Sequence, residues 1–241
     1  KKRKFMTPET GLMGGNIIYW VIFIGTALLS WLVSSNLKRK FALYSKIPTE
    51  RGMTGREVAE KMLHDQDIYD VTVQCVEGQL TDHYNPQTKV VNLSRGVYEG
   101  ANVAAAAVAA HECGHAVQHA TAYSWLMLRS RLVPVVSFAS RWVMWVILGG
   151  LFLVNTFPNL LLVGIVLFGF TTLFSFVTLP VEINASKRAL VWLENHSVTS
   201  SQSQEQAQGA LKAAAYTYVV AAISSLASLL YYIAIYLGRR D

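Results

Sequence analysis

Four long apolar stretches dominate this sequence and restrict the folds that are open to it. Each approaches or exceeds the ~20 residues that an α-helix needs to cross a bilayer, and they occupy residues 16–36, 132–157, 159–179 and 214–237. The chain is 52% hydrophobic and only 15% charged, a balance that is unusual for a soluble domain. We therefore predict an α-helical integral membrane protein with four transmembrane helices.

Charged residues and prolines refine these boundaries. Arg141 interrupts the second stretch, and an arginine is costly at the middle of a bilayer, so we expect 132–157 to begin outside the membrane. Pro158 precedes the third stretch and Pro180 follows it, which predicts a helix that starts and stops at these prolines. We treat residues 1–15, ahead of the first stretch, as an N-terminal tail outside the fold.

The chain carries a net charge of +6, and many basic residues lie beside the apolar stretches. This arrangement is typical of contact with anionic lipid headgroups and gives no indication of nucleic-acid binding. The positive-inside rule predicts that residues 41–131 and 180–213 face the cytoplasm. We expect a multi-pass protein of the inner (plasma) membrane. The two cysteines, Cys75 and Cys113, do not indicate a disulfide framework.

Residues 41–131 differ from the rest because their composition is that of a soluble domain. Thr54 and Glu57 have the spacing of a capping box, which predicts an amphipathic helix that continues to about residue 64. The patterns that follow predict a strand and a hairpin, at residues 71–76, 79–84 and 89–93. An alanine-rich run then predicts a helix over 102–120. Together these elements form a small α+β domain.

The last helix of this domain contains the sequence His-Glu-Cys-Gly-His at residues 111–115. Residues four apart lie on one face of a helix, so His111 and His115 can each direct an imidazole nitrogen at one zinc ion. Glu112 lies one step round the helix, where it can act as general base on water at the metal. A chance pair of histidines is the alternative. His119 lies ~12 Å along the axis from His111 at ~1.5 Å per residue, so we assign it to the surroundings of the metal.

A catalytic zinc site needs three protein ligands and one position for water. Glu182 is the best placed third ligand because it follows the third apolar stretch, where the chain should return to the side of the α+β domain. It belongs to segment 180–213, in which we predict a ligand-bearing helix over 181–194 and then a mobile Ser/Gln-rich connector over 195–209. The alternative is a surface glutamate at a helix start.

Three motifs resemble those of the YugP-like membrane zinc metallopeptidases, at residues 109–120, 179–189 and 81–86. More distantly, the chain is similar to the heat-shock membrane protease and CAAX prenyl protease group. The resemblance implies a zincin-like peptidase domain. It also implies one zinc ion per chain, held by His111, His115 and Glu182, with Glu112 as the base.

The same motifs suggest residues that act around the metal: Asp82, His119, Asn184, Ser186 and Arg188. Ser186 replaces the aspartate of the more distant group, and Asp82 is a candidate to orient a zinc-ligating histidine. Arg188 is a candidate to bind a substrate carbonyl or a lipid. His83 and Tyr84 are candidates to stabilise the oxyanion of the tetrahedral intermediate, the alternative being that they stabilise the hairpin.

We therefore predict an integral membrane zinc endopeptidase whose active site lies at the cytoplasmic membrane surface and acts on a peptide or membrane-protein substrate. Two alternatives stay open. An intramembrane protease would cut within the bilayer, although the apolar residues 103–110 ahead of the motif are too few to span it. A non-catalytic zinc-binding scaffold would hold its zinc with a fourth protein ligand, for which His83 is the candidate.

Overall fold

The computed structural model of the chain describes residues 8–238. In this range the chain forms seven helices and three strands: α1 (Pro8–Tyr44), α2 (Gly55–Asp65), β1 (Thr72–Val76), β2 (His83–Asn85), β3 (Val90–Ser94), α3 (Arg95–Tyr98), α4 (Val103–Ala120), α5 (Ser124–Phe152), α6 (Pro158–Asn195) and α7 (Ser201–Leu237). Of the predicted N-terminal tail, residues 1–7 lie outside the described residues, and residues 8–15 belong to α1. The architecture is mostly helical, with one small sheet.

Four helices within residues 8–238 are long and apolar enough to cross a membrane by length and composition, namely Trp20–Tyr44 of α1, α5, α6 and α7. In the most apolar 18 residues of the Trp20–Tyr44 helix no residue is buried, and in the most apolar 18 residues of α6 28% are buried. Exposed apolar surface on this scale is a mark of a lipid or protein contact. The predicted number of transmembrane helices therefore agrees with the structure.

The chain divides into two compact units, and the first consists of helical segments at 8–32, 131–176 and 219–238. Its apolar core is formed by Val154, Leu161 and Ile165, packed against side chains of α7. A Cβ added at Gly150 would lie 2.6 Å from the Leu161 Cα atom. Glycine at this position therefore lets α5 and α6 approach closely.

The second unit contains residues 33–130 and 177–218 and holds the sheet and the larger core. Its helix α2 begins at the predicted capping box: the Thr54 hydroxyl accepts a hydrogen bond from the Glu57 N–H, and the Glu57 carboxylate accepts from the Thr54 N–H. This exchange satisfies two backbone donors that a helix start otherwise leaves free. The apolar face of α2 is buried, at Val58, Ala59, Met62 and Leu63.

The three strands pair in the order β1-β3-β2, with β1 parallel and β2 antiparallel to β3. β2 and β3 form the predicted hairpin, although its first strand begins at His83 rather than at residue 79. In the turn, the Asn85 side chain accepts hydrogen bonds from the Gln87 and Thr88 N–H groups, as asparagine commonly does in turns. Among residues 8–238, β2 is therefore an edge strand, and one of its sides has no strand paired to it.

Helix α4 runs through the middle of the second unit. Asn102 caps it, because its side chain accepts a hydrogen bond from the Ala105 N–H. The alanines that follow are almost all fully buried, and their small side chains let α2, α3, β2 and β3 pack closely around the helix. This packing fixes the second half of α4, which carries the His-Glu-Cys-Gly-His sequence.

The structure corrects several predicted boundaries. Pro180 does not end the third apolar helix, because α6 continues to Asn195. A proline removes one backbone hydrogen bond, and long apolar helices tolerate that loss. The Ser/Gln-rich residues predicted as a connector mostly belong to α7, since Ser200 exchanges hydrogen bonds with Ser203 and so caps this helix. α5 likewise ends at Phe152 rather than at residue 157.

Candidate metal centre

The structure brings the three predicted metal ligands together. The rings of His111 and His115 lie one helical turn apart on α4, with centroids separated by 4.8 Å. Their Nε2 atoms lie 3.3 Å and 3.5 Å from the same Oε2 atom of Glu182 on α6. One nitrogen or oxygen from each of the three side chains lies within 4.8 Å of the other two. Two imidazoles and one carboxylate are a donor set that catalytic zinc uses.

A glycine of the motif allows α6 to come this close to α4. A Cβ added at Gly114 would lie only 2.7 Å from the backbone oxygen of Ala185, a separation that side-chain carbons do not adopt. Ala185 lies between Glu182 and Ser186, so the closest approach of the two helices is also the point at which α6 supplies its functional side chains. The backbone packing therefore sets the distance between the carboxylate and the histidines.

Hydrogen bonds at the far side of each ring orient the two histidines. The Nδ1 atom of His111 lies 3.1 Å from the Ser186 hydroxyl, and that of His115 lies 3.0 Å from the Gln118 Oε1 atom. Gln118 is fully buried. Its Nε2 atom donates to the Val181 carbonyl at 2.8 Å and to the Asn184 Oδ1 atom at 2.9 Å. Since its amide nitrogen is used as a donor twice, its oxygen must accept, and this assigns the proton of His115 to Nδ1.

This assignment leaves acceptors facing one another at the centre of the site. With its proton on Nδ1, neutral His115 presents a lone pair on Nε2 to the Glu182 carboxylate. Two acceptors this close require a proton or a cation between them. Burial lowers the pKa of His115, but the hydrogen bond to Glu182 and the charges of Glu112 and Glu182 more than offset this, so the pKa is raised. The residues thus fit a bound cation, and their donor types fit zinc.

The predicted base, Glu112, lies beside this group with only 8% of its surface exposed. Its Oε2 atom accepts a hydrogen bond from the Tyr84 backbone N–H at 3.0 Å. That N–H belongs to the edge strand β2, so the sheet holds the carboxylate in place. Glu112, His111 and Glu182 line one cavity of about 130 Å³ within the second unit.

The rest of the cavity wall is mainly apolar. α1 contributes Leu37 and Phe41, and α7 contributes Ala210, Leu211, Ala214 and Ala215. Asp82 and Tyr218 add polar groups. A site of this kind binds an apolar group next to a few polar atoms that fix its orientation.

The structure does not bring the two predicted oxyanion donors to the metal ligands. His83 is exposed, with Nδ1 2.8 Å from the Thr81 carbonyl and Nε2 3.2 Å from the Asn92 amide. The Tyr84 hydroxyl lies 3.0 Å from the Nδ1 atom of His119. The side chains of His83 and Tyr84 thus make contacts within and beside the hairpin, and the backbone N–H of Tyr84 bonds Glu112.

Two of the surrounding residues make contacts other than those expected. Asp82 accepts hydrogen bonds from the Ser94 N–H and hydroxyl, so it holds the end of β3 rather than a zinc-ligating histidine. Arg188 donates from Nε to the Asn184 Oδ1 atom at 2.9 Å. Arg188 therefore supports the group that bonds Gln118 and does not line the cavity.

Three residues that contact the site were not predicted from the sequence: Gln118, Arg129 and Tyr218. The Arg129 Nη1 atom lies 3.5 Å from the Glu182 Oε1 atom, and Tyr218 lines the cavity together with Glu182. Tyr218 lies in an apolar helix that was assigned to the membrane, Arg129 lies near the end of the predicted soluble domain, and only the fold brings them to Glu182. Gln118 could have been found, since it lies three residues after His115 and so shares its helix face.

The chain is also similar in sequence to known proteins. A family model described as "Putative neutral zinc metallopeptidase" matches residues 19–237. A relative from Bacillus subtilis (strain 168), named "Putative membrane protease YugP", is 40% identical over 225 residues, which cover 93% of this chain and 99% of the relative. No solved structure matches the chain significantly. The family resemblance drawn from the three motifs is therefore confirmed.

Proposed function

Because this chain belongs to the neutral zinc metallopeptidase family, we propose that it is an integral membrane endopeptidase that hydrolyses peptide bonds with one zinc ion per chain. The observation that carries this proposal is the convergence of His111, His115 and Glu182 beside Glu112 on one cavity. The relative's name describes a membrane protease, and four helices of this chain have the length and composition of membrane spans.

The proposed reaction follows from the positions of the side chains. When bound by His111, His115 and Glu182, zinc supplies Lewis-acid chemistry, polarising a carbonyl oxygen and lowering the pKa of water. Glu112 accepts a proton from the water that attacks the peptide carbon, while the carbonyl electron pair moves to oxygen. The C–N bond then breaks, and Glu112 returns the proton to the leaving nitrogen. The Tyr84 N–H bond keeps Glu112 turned to the cavity.

The edge strand β2 and the helix α4 that lies against it support a zincin-like domain. In such an arrangement an extended peptide can lie along a sheet edge as an added strand. The apolar lining of the cavity supports a substrate with an apolar side chain next to the cleaved bond. We propose a peptide or a membrane protein as the substrate and lipids as the surrounding partners.

The geometry favours catalysis over the two alternatives. A structural zinc scaffold needs a fourth protein ligand, and the candidate for it, His83, contacts Thr81 and Asn92 instead. An intramembrane protease would carry its histidines on a membrane-spanning helix, whereas α4 is buried among α2, α3, β2 and β3 and is not among the apolar candidate spans of residues 8–238.

We propose that the protein lies in the inner membrane with its active site on the cytoplasmic side. The support is the concentration of basic residues in and beside 41–131 and 180–213, which the positive-inside rule assigns to the cytoplasm. Labelling of a cysteine introduced at the exposed residue Lys212 would test this. A membrane-impermeant thiol reagent should reach it in inverted vesicles but not in intact cells.

Replacing the base tests the function itself. Glu112→Gln keeps the shape of the side chain but cannot accept a proton, so we expect kcat to fall by roughly 10²–10⁴-fold. The assay uses the full chain purified in detergent, loaded with zinc and offered a peptide mixture. Glu205→Gln, at an exposed position of α7, is the matched control and should keep full activity.

Measuring the bound zinc distinguishes a variant that has lost catalytic activity from one that has lost the metal site. The Glu112→Gln protein should bind zinc as the unchanged protein does, because Glu112 is not one of the three proposed ligands. Full peptide cleavage by Glu112→Gln would contradict the proposal. Comparing the N-terminal peptides of cells that express the two forms would identify substrates.

A further inference from the structure

Peptide hydrolysis at this site needs a hydrogen-bond donor for the carbonyl oxygen, because that oxygen becomes negatively charged as water attacks. The two donors expected from the sequence have other partners: His83 bonds Thr81 and Asn92, and the Tyr84 hydroxyl bonds His119. Arg129 contacts Glu182 but does not line the cavity. The donor for the carbonyl oxygen must therefore be another polar group in the cavity wall.

Tyr218 on α7 has the required position. It lines the cavity together with His111, Glu112 and Glu182. Sharing this wall places the Tyr218 side chain beside both the proposed ligand and the proposed base. The residue is 37% exposed, so its ring is not sealed in a core.

The local sequence of α7 explains how a tyrosine comes to this place. Leu211, Ala214, Ala215 and Tyr218 are separated by three and four residues and therefore share one helix face. All four line the cavity. The two alanines leave free volume beside the metal ligands, and Tyr218 closes the end of the same face with a polar group.

We propose that the Tyr218 hydroxyl donates a hydrogen bond to the carbonyl oxygen of the scissile peptide while negative charge develops on it. This inference rests on the proposed peptidase function. The hydroxyl keeps its proton throughout, and the proton that moves is the one that Glu112 takes from water and returns to the leaving amine. In the absence of substrate the Tyr218 side chain already lies in the cavity wall that carries Glu112 and Glu182.

The competing role for Tyr218 is to orient Glu182 only. Glu182 already has Arg129 3.5 Å from its Oε1 atom, and His111 and His115 near Oε2. If Tyr218 served only to orient this carboxylate, its removal would weaken zinc binding. If it donates to the substrate oxygen, its removal would lower kcat and leave zinc binding unchanged.

Tyr218→Phe in the zinc-loaded full chain distinguishes these roles. We expect kcat to fall by roughly 10²–10³-fold, the loss typical of one oxyanion donor, with KM little changed. A phosphinic peptide, whose charged oxygens imitate the tetrahedral state, should bind more weakly by a comparable factor when measured by calorimetry. Zinc affinity, measured against a competing chelator, should equal that of the unchanged protein. Tyr216→Phe removes the same atom from an exposed position of the same helix and should change none of these values.

Each other outcome overturns the inference in a recognisable way. Unchanged kcat and unchanged phosphinic affinity would show that Tyr218 donates no hydrogen bond in the reaction. A fall in zinc affinity that accounts for the lost activity would make Tyr218 a positioning residue for Glu182. If the unchanged protein cleaves no peptide, the proposed function fails, and equal binding of the phosphinic peptide by both forms then rejects the role of Tyr218 separately.

Discussion

At the scale of single residues, one buried glutamine orients His115, which is one of the three proposed metal ligands. Gln118 bonds His115 through its oxygen and bonds Val181 and Asn184 through its nitrogen. One side chain thus joins a histidine of α4 to the helix that supplies Glu182. A neighbour that fixes the tautomer of a metal-binding histidine contributes to affinity although it never touches the metal.

Replacing this glutamine should weaken zinc binding. Gln118→Leu removes the acceptor for the His115 Nδ1–H group and the hydrogen bonds that Gln118 donates to the Asn184 and Val181 oxygens, so we expect zinc affinity to fall by about 10–100-fold. Competition with a chelator on the purified full chain measures this. Gln208→Leu, at an exposed position of α7, is the control. Unchanged zinc affinity in Gln118→Leu would show that the ring of His115 is held by packing alone.

Some residues of the candidate site could be predicted from the sequence alone, and others could not. The spacing of His111 and His115 predicted one pair of ligands, and the position of Glu182 after an apolar stretch predicted the third. Ser186 was expected near the metal and lies against His111. Tyr218 could not be found in this way, because a tyrosine in an apolar helix has no signal that distinguishes a cavity wall from a lipid-facing surface.

At the scale of elements, the site depends on the distance between α4 and α6. The two helices touch where Gly114 faces Ala185, in the middle of both functional motifs. The sequence predicted α4 from its alanines and α2 from its capping box, since these signals are local. It did not predict that α6 continues through Pro180, because a local helix-breaking signal was overruled by the surroundings of a long apolar helix.

Widening this contact should disturb the metal site without removing any ligand. In Gly114→Ala the new methyl group would lie 2.7 Å from the Ala185 oxygen, so α6 must move away from α4. We expect a loss of about 1–3 kcal/mol in stability, as is typical of overpacking, together with weaker zinc binding. Thermal unfolding and zinc titration measure the two effects.

The control for this variant is Gly96→Ala. A Cβ at Gly96 meets no atom within 4 Å, so the melting temperature and the zinc affinity should stay close to those of the unchanged protein. If Gly114→Ala binds zinc as tightly as Gly96→Ala does, the separation of the two helices does not limit the site.

A second link between elements joins α2 to the end of α6. The Asp65 carboxylate lies 2.8 Å from the Lys61 ammonium group, accepts a hydrogen bond from the Trp192 indole at 3.1 Å, and lies 3.1 Å from the His196 Nε2 atom. Burial raises the pKa of Asp65, but the hydrogen bond and charge of Lys61 and the bond from Trp192 outweigh it, so the pKa is lowered. Folding therefore favours the ionised form.

This lowered pKa makes the link dependent on pH. The stabilisation is fully present above the unfolded pKa of about 3.9 and is lost as the pH falls through the lower folded pKa. We expect Asp65→Asn to lower the melting temperature at neutral pH, with the difference shrinking in acid below the unfolded pKa. Asp67→Asn, at an exposed position, should show little effect. A deficit of Asp65→Asn that is independent of pH would show that shape and hydrogen bonding, rather than charge, link the two helices.

At the scale of the whole molecule, the chain combines long apolar helices with a domain that has a buried core. Its long helices expose many large apolar side chains, whereas the unit with the sheet buries an alanine-rich helix and a polar site. Composition could predict this division, because apolar stretches and mixed stretches alternate along the chain. It could not assign the cavity walls, because Leu37 and Ala214 come from helices that composition assigns to the membrane.

The proposed site requires three side chains from two helices to bind one zinc ion. The most direct test is an equilibrium zinc titration of the full chain in detergent, comparing the unchanged protein with Glu182→Ala and Glu112→Gln. We expect one zinc ion per chain. Glu182→Ala should bind zinc at least ~100-fold more weakly, because removing a ligand should cost at least as much affinity as removing a group that orients one. Glu112→Gln should bind zinc as tightly as the unchanged protein. Zinc bound as tightly by Glu182→Ala as by the unchanged protein would contradict the proposed site.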